Sequence, residues 1–571
     1  MKFIRVNMET KSISDASAPV AYQRFGGRRL TSTLISAEVP PTCDPLGPEN
    51  RLIIAPGLLS GTPMVNTSRV SIGAKSPLTN GIKESNAGGT TGAALGRLGI
   101  KAIIIEGQAS PEALFILKID AKGAAQLLPA DDYKGRRTYD LVEDLSKAFG
   151  DHQAILCIGP AGEHRMRSAS IQATDVDNRP CRAAGRGGLG AVMGSKGIKA
   201  IVIDRRGKSE QKFTESAAFK AGVKAFTEAI NADPTARLLR SQGTAALMAI
   251  INSLGAFPCY NATKGVFDKW EEISGEALSA LIKKRGGTAV HKGCSQCVIH
   301  CSNSFVDEKG RYVTGSLEYE TLWAMGGMSG VADLDTIARL DRMCDDLGLD
   351  TMNTGVGMAV AIDAGYRKFG DANALFEMMA EIEQGTEFGK VLGNGPAAVG
   401  AYFHHHRVPV VKNQSIAGYD PRGMQGTGVT YATSPMGADH TAGNTTAKYL
   451  NGLLVSHEPE GQMEASRQAQ VIMAFLDTIG LCLLAGVALS SIDSINALFD
   501  VINARLGTSY GMEQISLTGS KVLTLEKEFN RKAGLGTEDD RLPRFFYEEP
   551  LSPHNKVFAV SDAELDRVHN F

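Results

Sequence analysis

The 571-residue chain is 43% apolar and carries 60 basic against 62 acidic side chains, too long for one core and too evenly charged for a nucleic-acid footprint. Nine cysteines are too few for a disulfide scaffold, which points to a reducing, cytoplasmic setting. The first residues lack a basic-then-apolar leader, and the longest apolar run, 479–488, is too short to span a membrane, so no transmembrane segment is expected.

Residues 1–208 predict a β-rich domain. Runs at 2–7, 51–57, 102–107, 154–160 and 200–204 are short, rich in Ile and Val, and mostly closed by Gly or Pro, as in packed sheets. Two glycine-rich stretches interrupt them, 85–92 and 181–196. Each suits a tight turn, and each also suits backbone N–H groups offered to a phosphate or polar heterocycle. The second adds Arg182, Arg186 and Lys196 for an anionic cofactor. Its Gly185-x-Gly187-x-x-Gly190 has no strand leading into it, so a dinucleotide fold is not expected, and no Walker A sequence occurs. Arg69 stands beside a strand, where a surface position is the default. Residues 204–210 read as a domain boundary.

Residues 209–408 switch to helical periodicity at 216–229, 238–254, 333–347 and 356–369. Between these helices lies Cys294-x-x-Cys297-x-x-x-Cys301. Three thiolates this close suit one face of an iron–sulfur cluster, with Cys482 as the fourth ligand; zinc is the rival metal. Glu318 and Glu320 follow, one of them expected at the surface. Asp345-x-x-Gly348-Leu349-Asp350 and Asp477-x-x-Gly480-Leu481-Cys482 repeat one pattern 132 residues apart. The repeat predicts two equivalent half-sites, each offering a carboxylate to N–H donors of a ligand. Residues 409–571 form a further helical domain, with a helix at 468–476 leading into Asp477. Of eleven histidines, His440 stands out in a polar, glycine-bounded segment, while His404, His405 and His406 read as surface.

Together these motifs resemble the aldehyde:ferredoxin oxidoreductases, tungsten- or molybdenum-containing bis-pyranopterin enzymes, over essentially the whole chain. The resemblance implies an α+β fold: a β-rich base domain followed by two mainly helical domains, with the cofactor at their junction. It implies one [4Fe-4S] cluster on Cys294, Cys297, Cys301 and Cys482. Two pyranopterins would be fixed by Asp345, Gly348, Leu349, Asp350, Asp477 and Leu481, with Asn86, Gly88, Arg182 and Gly185 from the first domain. Arg69 would lie between cluster and pterin, and Mg2+ would join the pterin phosphates. The implied reaction is oxidation of a small aldehyde to the carboxylic acid. Glu318 is expected to activate water, with Glu320 the runner-up, and His440 to hydrogen-bond oxygen and shuttle a proton. Electrons would leave to ferredoxin or an iron–sulfur electron-transfer subunit, in a homodimer or hetero-oligomer. The helix near Val331 lacks Glu-x-x-His, so the dimer-bridging iron of some members is not expected. Two alternatives are a benzoyl-coenzyme A reductase-like catalytic subunit, using Cys259 with His291 or His300, and a metal-stabilised binding subunit without chemistry. Glu318 and His440 favour the aldehyde branch.

Overall fold

The computed structural model describes residues 1–208 and 216–571. Ser209 and Glu210, the end of the expected boundary stretch, lie outside the described residues.

The N-terminal domain holds twelve strands: β1 (Lys2–Asn7), β2 (Ser12–Ser17), β3 (Leu52–Pro56), β4 (Val70–Lys75), β5 (Ile82–Ala87), β6 (Ile100–Glu106), β7 (Phe115–Ile119), β8 (Ala125–Pro129), β9 (Gln153–Cys157), β10 (Ile171–Ala173), β11 (Arg182–Ala184) and β12 (Ile198–Asp204). They form two six-stranded sheets, ordered β2-β1-β6-β3-β4-β5 and β8-β7-β12-β9-β10-β11. The second repeats the first strand for strand. β1 runs parallel to β6 as β7 does to β12, and β3 runs antiparallel to β6 as β9 does to β12. Helices α1 (Gly27–Glu38) and α2 (Thr91–Arg97) in the first unit match α3 (Thr138–Phe149) and α4 (Leu189–Ser195) in the second. The duplication is written in the chain: Gly99-Ile-Lys-Ala-Ile-Ile-Ile-Glu106 answers Gly197-Ile-Lys-Ala-Ile-Val-Ile-Asp204.

The sheets pack face to face. Ile103, Ile105, Leu52 and Ile54 of one meet Leu117, Leu156, Ile201 and Ile203 of the other in a single core. The alternate residues face outward onto helices. Ile53 and Ile104 pack under Leu30 and Leu34 of α1, while Ile155 and Val202 pack under Leu141 and Leu145 of α3. Strands covered on both faces are buried throughout, which is why β6 and β12 read as nearly continuous Ile/Val runs instead of alternating.

The rest is mainly helical, with a small sheet of β13 (Thr288–His291), β14 (Ser302–Val306) and β15 (Tyr312–Gly315) beside the cysteine loop. Four further helices matter: α5 (Pro234–Gln242), α6 (Leu334–Leu347), α7 (Thr351–Asp363) and α8 (Gln462–Ile479). The helix expected over 238–254 is broken after α5, where Gly243 adopts φ +64°. α7 starts five residues before the expected Val356, because the Asp350 carboxylate caps it by accepting from Met352 and Asn353 N–H. α8 is longer at both ends than expected and stops at left-handed Gly480. Packing does not divide at residue 408. The 245–449 region shares its core with 542–568, whereas 219–239 packs with 473–502 around the cysteine loop. Among the described residues no single helix is long and apolar enough to cross a membrane.

Candidate active site

The two D-x-x-G-L motifs dock on equivalent points of the duplicated domain. At the end of α8, Thr478 and Ile479 carbonyls accept from Leu58 and Leu59 N–H (3.2 and 3.0 Å), just past β3. At the end of α6, the Gly348 carbonyl accepts from Ser170 N–H (2.8 Å), and Asp350 N–H donates to Ser168 (2.9 Å), beside the end of β9. Both seams close on paired glycines. A methyl group on Gly57 would overlap Gly480, and one on Gly159 would overlap Leu347 and Gly348. Gly57→Ala is therefore expected to cost about 1–3 kcal/mol of stability by overpacking. A fall in Tm checks this, and an unchanged Tm contradicts it.

Asp345 and Asp477 are each 8% exposed at these seams. Burial, then repulsion by Asp341 and Asp346, pushes the Asp345 carboxyl well up. Burial, then Glu84, pushes Asp477 up to about 8, against Arg28 and Arg69. Arg28, fully buried at the start of α1, lies 3.5 Å from Asp477 and pairs with buried Glu526 at 2.8 Å. Gly185 faces the Asp350 carboxylate: a methyl group there would lie 3.5 Å from it. Leu481 is fully buried behind the second seam.

The cysteine loop sits against the edge of the first sheet. Gly89 N–H points at Cys294 Sγ (3.2 Å), His300 N–H at Cys297 Sγ (3.3 Å), and Asn66 Nδ2 at Cys297 Sγ (3.5 Å). Asn66 also links the two ligand segments: its carbonyl accepts from Cys482 N–H (2.8 Å), and its N–H donates to Gln296 (3.0 Å). A methyl group on Gly88 would sit 2.6 Å from Cys294 Sγ and 3.8 Å from Arg69. Arg69, bonded to Asn86, thus lies between the cysteine loop and Asp477. Such N–H donors suit cluster sulfur. Among the described residues, the one group of three metal-ligand types whose ligand atoms lie within 4.8 Å of one another is Asp175, Asp177 and His291, not three of the cysteines.

The two glutamates separate here. Glu318, expected to be the catalytic one, accepts from Arg182 (3.1 Å) and Thr244 (2.5 Å) beside Cys301. Glu320 instead faces His440, with Oε1 3.4 Å from Nε2. The physical reason is local: Glu318 immediately precedes a short helical turn, Tyr319–Thr321, which carries Glu320 round to the other side. Gly418 N–H holds Glu320 Oε2 at 2.8 Å, and the Tyr419 ring lies 5.7 Å from His440. Glu320 Oε1 and His440 Nδ1 are buried without a hydrogen-bond partner, as is Arg182 Nε. The facing orphans on Glu320 and His440 fit a bound group that supplies donors and acceptors. The His440 segment is clamped by two buried cations. Lys83 pairs with Asp439 at 2.9 Å, and Arg186 donates to the Ala438 carbonyl (2.7 Å) and Ser415 Oγ (2.8 Å), 3.9 Å from Asp350.

Lys83, Glu84, Arg28, Asn66 and Thr244 escaped the sequence reading because each is a single polar residue without a motif. The Gly-Ile-Lys-Ala duplication was the available signal. It pairs the two glycine stretches and so marks the strands before them. Cys259, by contrast, is turned into its own loop, donating to Lys264 and Val266 carbonyls (3.4 and 3.3 Å), and His291 pairs with Asp177 at 2.8 Å.

Two family models match the chain: "Aldehyde ferredoxin oxidoreductase, N-terminal domain" over residues 3–205, and "Aldehyde ferredoxin oxidoreductase, domains 2 & 3" over 221–569. The chain is 33% identical to the tungsten-containing aldehyde ferredoxin oxidoreductase of Pyrococcus furiosus, covering 96% of this chain and 92% of that protein. It is 32% identical, with the same coverage, to the Thermococcus kodakarensis protein of the same name. An aliphatic sulfonate oxidoreductase WOR-like subunit of Pyrococcus furiosus is 26% identical over 97% of this chain and 90% of its own length. The active site complex BamBC of benzoyl coenzyme A reductase shares the fold, with TM-score 0.81 at 20% identity, covering all of this chain and 93% of that one.

Proposed function

The chain belongs to the aldehyde ferredoxin oxidoreductase family, and from that premise we propose how its own residues serve aldehyde oxidation. It is an enzyme that oxidises an aldehyde to the carboxylic acid at a tungsten (or molybdenum) bis-pyranopterin, passing electrons through one iron–sulfur cluster. The observation that carries the residue assignment is the convergence on β5 and the glycines after it. Lys83 holds the His440 segment, Glu84 faces Asp477, Asn86 holds Arg69, and Gly88 lies against Cys294. One edge of sheet therefore touches the His440 segment, the Asp477 seam and the cysteine loop.

Asp345, Asp350 and Gly185 would hold one pterin, and Asp477 with Leu481 and Arg28 the other; Mg2+ on their phosphates belongs to the same proposal. Cys294, Cys297, Cys301 and Cys482 would hold the cluster, with Arg69 and Arg182 beside it. When bound, the metal–pterin group supplies the two-electron oxidation and the oxygen transfer. An aldehyde and a water become a carboxylic acid with release of two protons and two electrons. Glu320 Oε1 takes a proton and exchanges it with His440 Nε2, which faces that oxygen, while the unpartnered Nδ1 of the same ring would orient the substrate oxygen. Buried Tyr419 keeps bulk water from the pair. Nine cysteines without a disulfide support a reducing, cytoplasmic setting.

Elemental analysis with aldehyde-dependent dye reduction tests the reading: about one W or Mo and about four Fe per chain are expected in anaerobically purified protein. Zinc without W or Mo, from a host that makes the pterin, overturns it.

A pH dependence also follows. Asp477, raised from its ordinary 3.8 to about 8, holds a proton in the folded chain without cofactor that the unfolded chain releases. That contribution to stability is complete below the unfolded value and is lost as pH rises through about 8. N–H donors on a bound pterin favour the carboxylate and reverse the loss. The Tm gap between cofactor-loaded and cofactor-free protein is expected to widen between about pH 6 and about pH 8.5. A narrowing gap in calorimetry contradicts this.

A further inference from the structure

Helices α9 (Ile492–Leu506) and α10 (Glu513–Lys532) meet the start of α1 and the end of α8 around a pocket of 520 Å³. We propose that this pocket binds an organic anion, a carboxylate or phosphate head on an apolar body. Its floor is apolar. Phe475 and Ile479 of α8 and Ile502 of α9, all buried, continue into the core around the cysteine loop. Its rim is cationic: Arg24, Arg29 and Lys521 line it, and no Asp or Glu does. Size and lining are those of a small-molecule site, an apolar cleft with a few convergent polar groups. None of Arg28, Asp477 or Cys482 lines the pocket. Arg28, next to Arg29 in the chain, turns inward to Asp477 and Glu526, so the pocket is separate from the site described above.

The rim cations stand without counter-charges. Half-buried Arg29 lies over the Phe25 ring (3.9 Å), and Arg24 donates to the Tyr510 hydroxyl (3.4 Å). Among the described residues, neither arginine nor Lys521 joins an ion pair. Burial lowers the Arg29 guanidinium from its ordinary value, and no carboxylate opposes it. Behind the wall, buried Lys101 donates to the Gln23 carbonyl (2.9 Å); burial, then Arg505, pushes it down to about 7. The acids of the bordering helices stand off the pocket. Glu526 is neutralised by Arg28, and Glu528 by Arg531 and Lys532. Asp500, on the other side of α9 from Ile502, faces Gly222. Glu513 keeps its charge but turns back onto Gly511 N–H (3.0 Å). Taking cations out of water without a counter-charge is costly, and an anion held by arginine forks offsets that cost. The apolar floor beneath those forks selects an anion with an apolar body over a bare inorganic one.

The test is calorimetric titration of the whole loaded enzyme with octanoate, octyl phosphate, inorganic phosphate and octanol. Saturable binding of octanoate or octyl phosphate is expected, and the tighter of the two names the head group. Inorganic phosphate, a head alone, and octanol, a body alone, are each expected to bind at least about tenfold more weakly. R24Q/R29Q is expected to weaken binding of the octyl anion about tenfold or more, while dye-linked aldehyde oxidation stays unchanged. If that variant does not fold, K521Q decides with both arginines in place: a loss of about threefold is expected. Undiminished binding in the variant overturns the proposal, because it places the anion at the active site as a product acid. So does inorganic phosphate matching octyl phosphate, or no binding of either octyl anion. The titration needs no turnover, so its failure leaves the functional reading standing.

Discussion

Glu320→Gln is expected to lower kcat for aldehyde oxidation by about two to four orders of magnitude, the range that general acid–base catalysis contributes. Its Oε1 is the carboxylate oxygen that faces His440, at 3.4 Å, with the buried Tyr419 hydroxyl beside the same carboxylate. Gln keeps the size and the Gly418 N–H contact but cannot take a proton. Glu318→Gln, whose carboxylate is bound by Arg182 and Thr244 beside the cysteines, is expected to stay within about tenfold, since it lies outside that proton path. Single-turnover reduction of the loaded enzyme by aldehyde reads the chemical step without the outgoing electrons. Equal losses in the two variants, or a larger loss for Glu318→Gln, would return the catalytic role to Glu318.

The pair illustrates what a chain does and does not disclose about itself. The cysteines and both D-x-x-G-L motifs were legible because each depends on local spacing, and helix ends at Gly348 and Gly480 follow from the same letters. The Ile-rich runs announced the sheets, since a strand covered on both faces must be apolar throughout. Glu318 and Glu320 were not separable. Two residues apart is the same face of a strand but nearly opposite sides of a helix, and the turn starts between them. The clamp of Lys83 on Asp439 spans 356 residues, and no local pattern encodes such a pairing. The return of residues 542–568 to the core of 245–449 was hidden for a related reason. The last residues return to an earlier core, and composition does not record where a helix goes back to pack.

Cys482→Ala is expected to abolish the cluster signal of the reduced protein in electron paramagnetic resonance and to lower bound iron together with dye-linked turnover. Cys482 follows α8 directly, and its backbone N–H is fixed to the Asn66 carbonyl (2.8 Å) while the Asn66 amide reaches Cys297 Sγ (3.5 Å). If Cys482 is the fourth ligand, it would be delivered by the same helix end that presents Asp477, and cluster and second pterin would share one rigid support. Losing that thiolate leaves the cluster three ligands and an open edge. Loss of turnover by about two orders of magnitude or more is expected, because electrons removed from the aldehyde lose their exit. Cys344→Ala is the control: that thiol is fully buried within α6, and its removal is expected to lower Tm while the cluster signal persists. Asn66→Ala separates positioning from ligation. It retains four thiolates but loses the amide on Cys297, so the signal should remain with altered g-values or midpoint potential. A full cluster signal in Cys482→Ala would mean that the fourth ligand lies elsewhere, and that the second D-x-x-G-L motif serves the pterin alone.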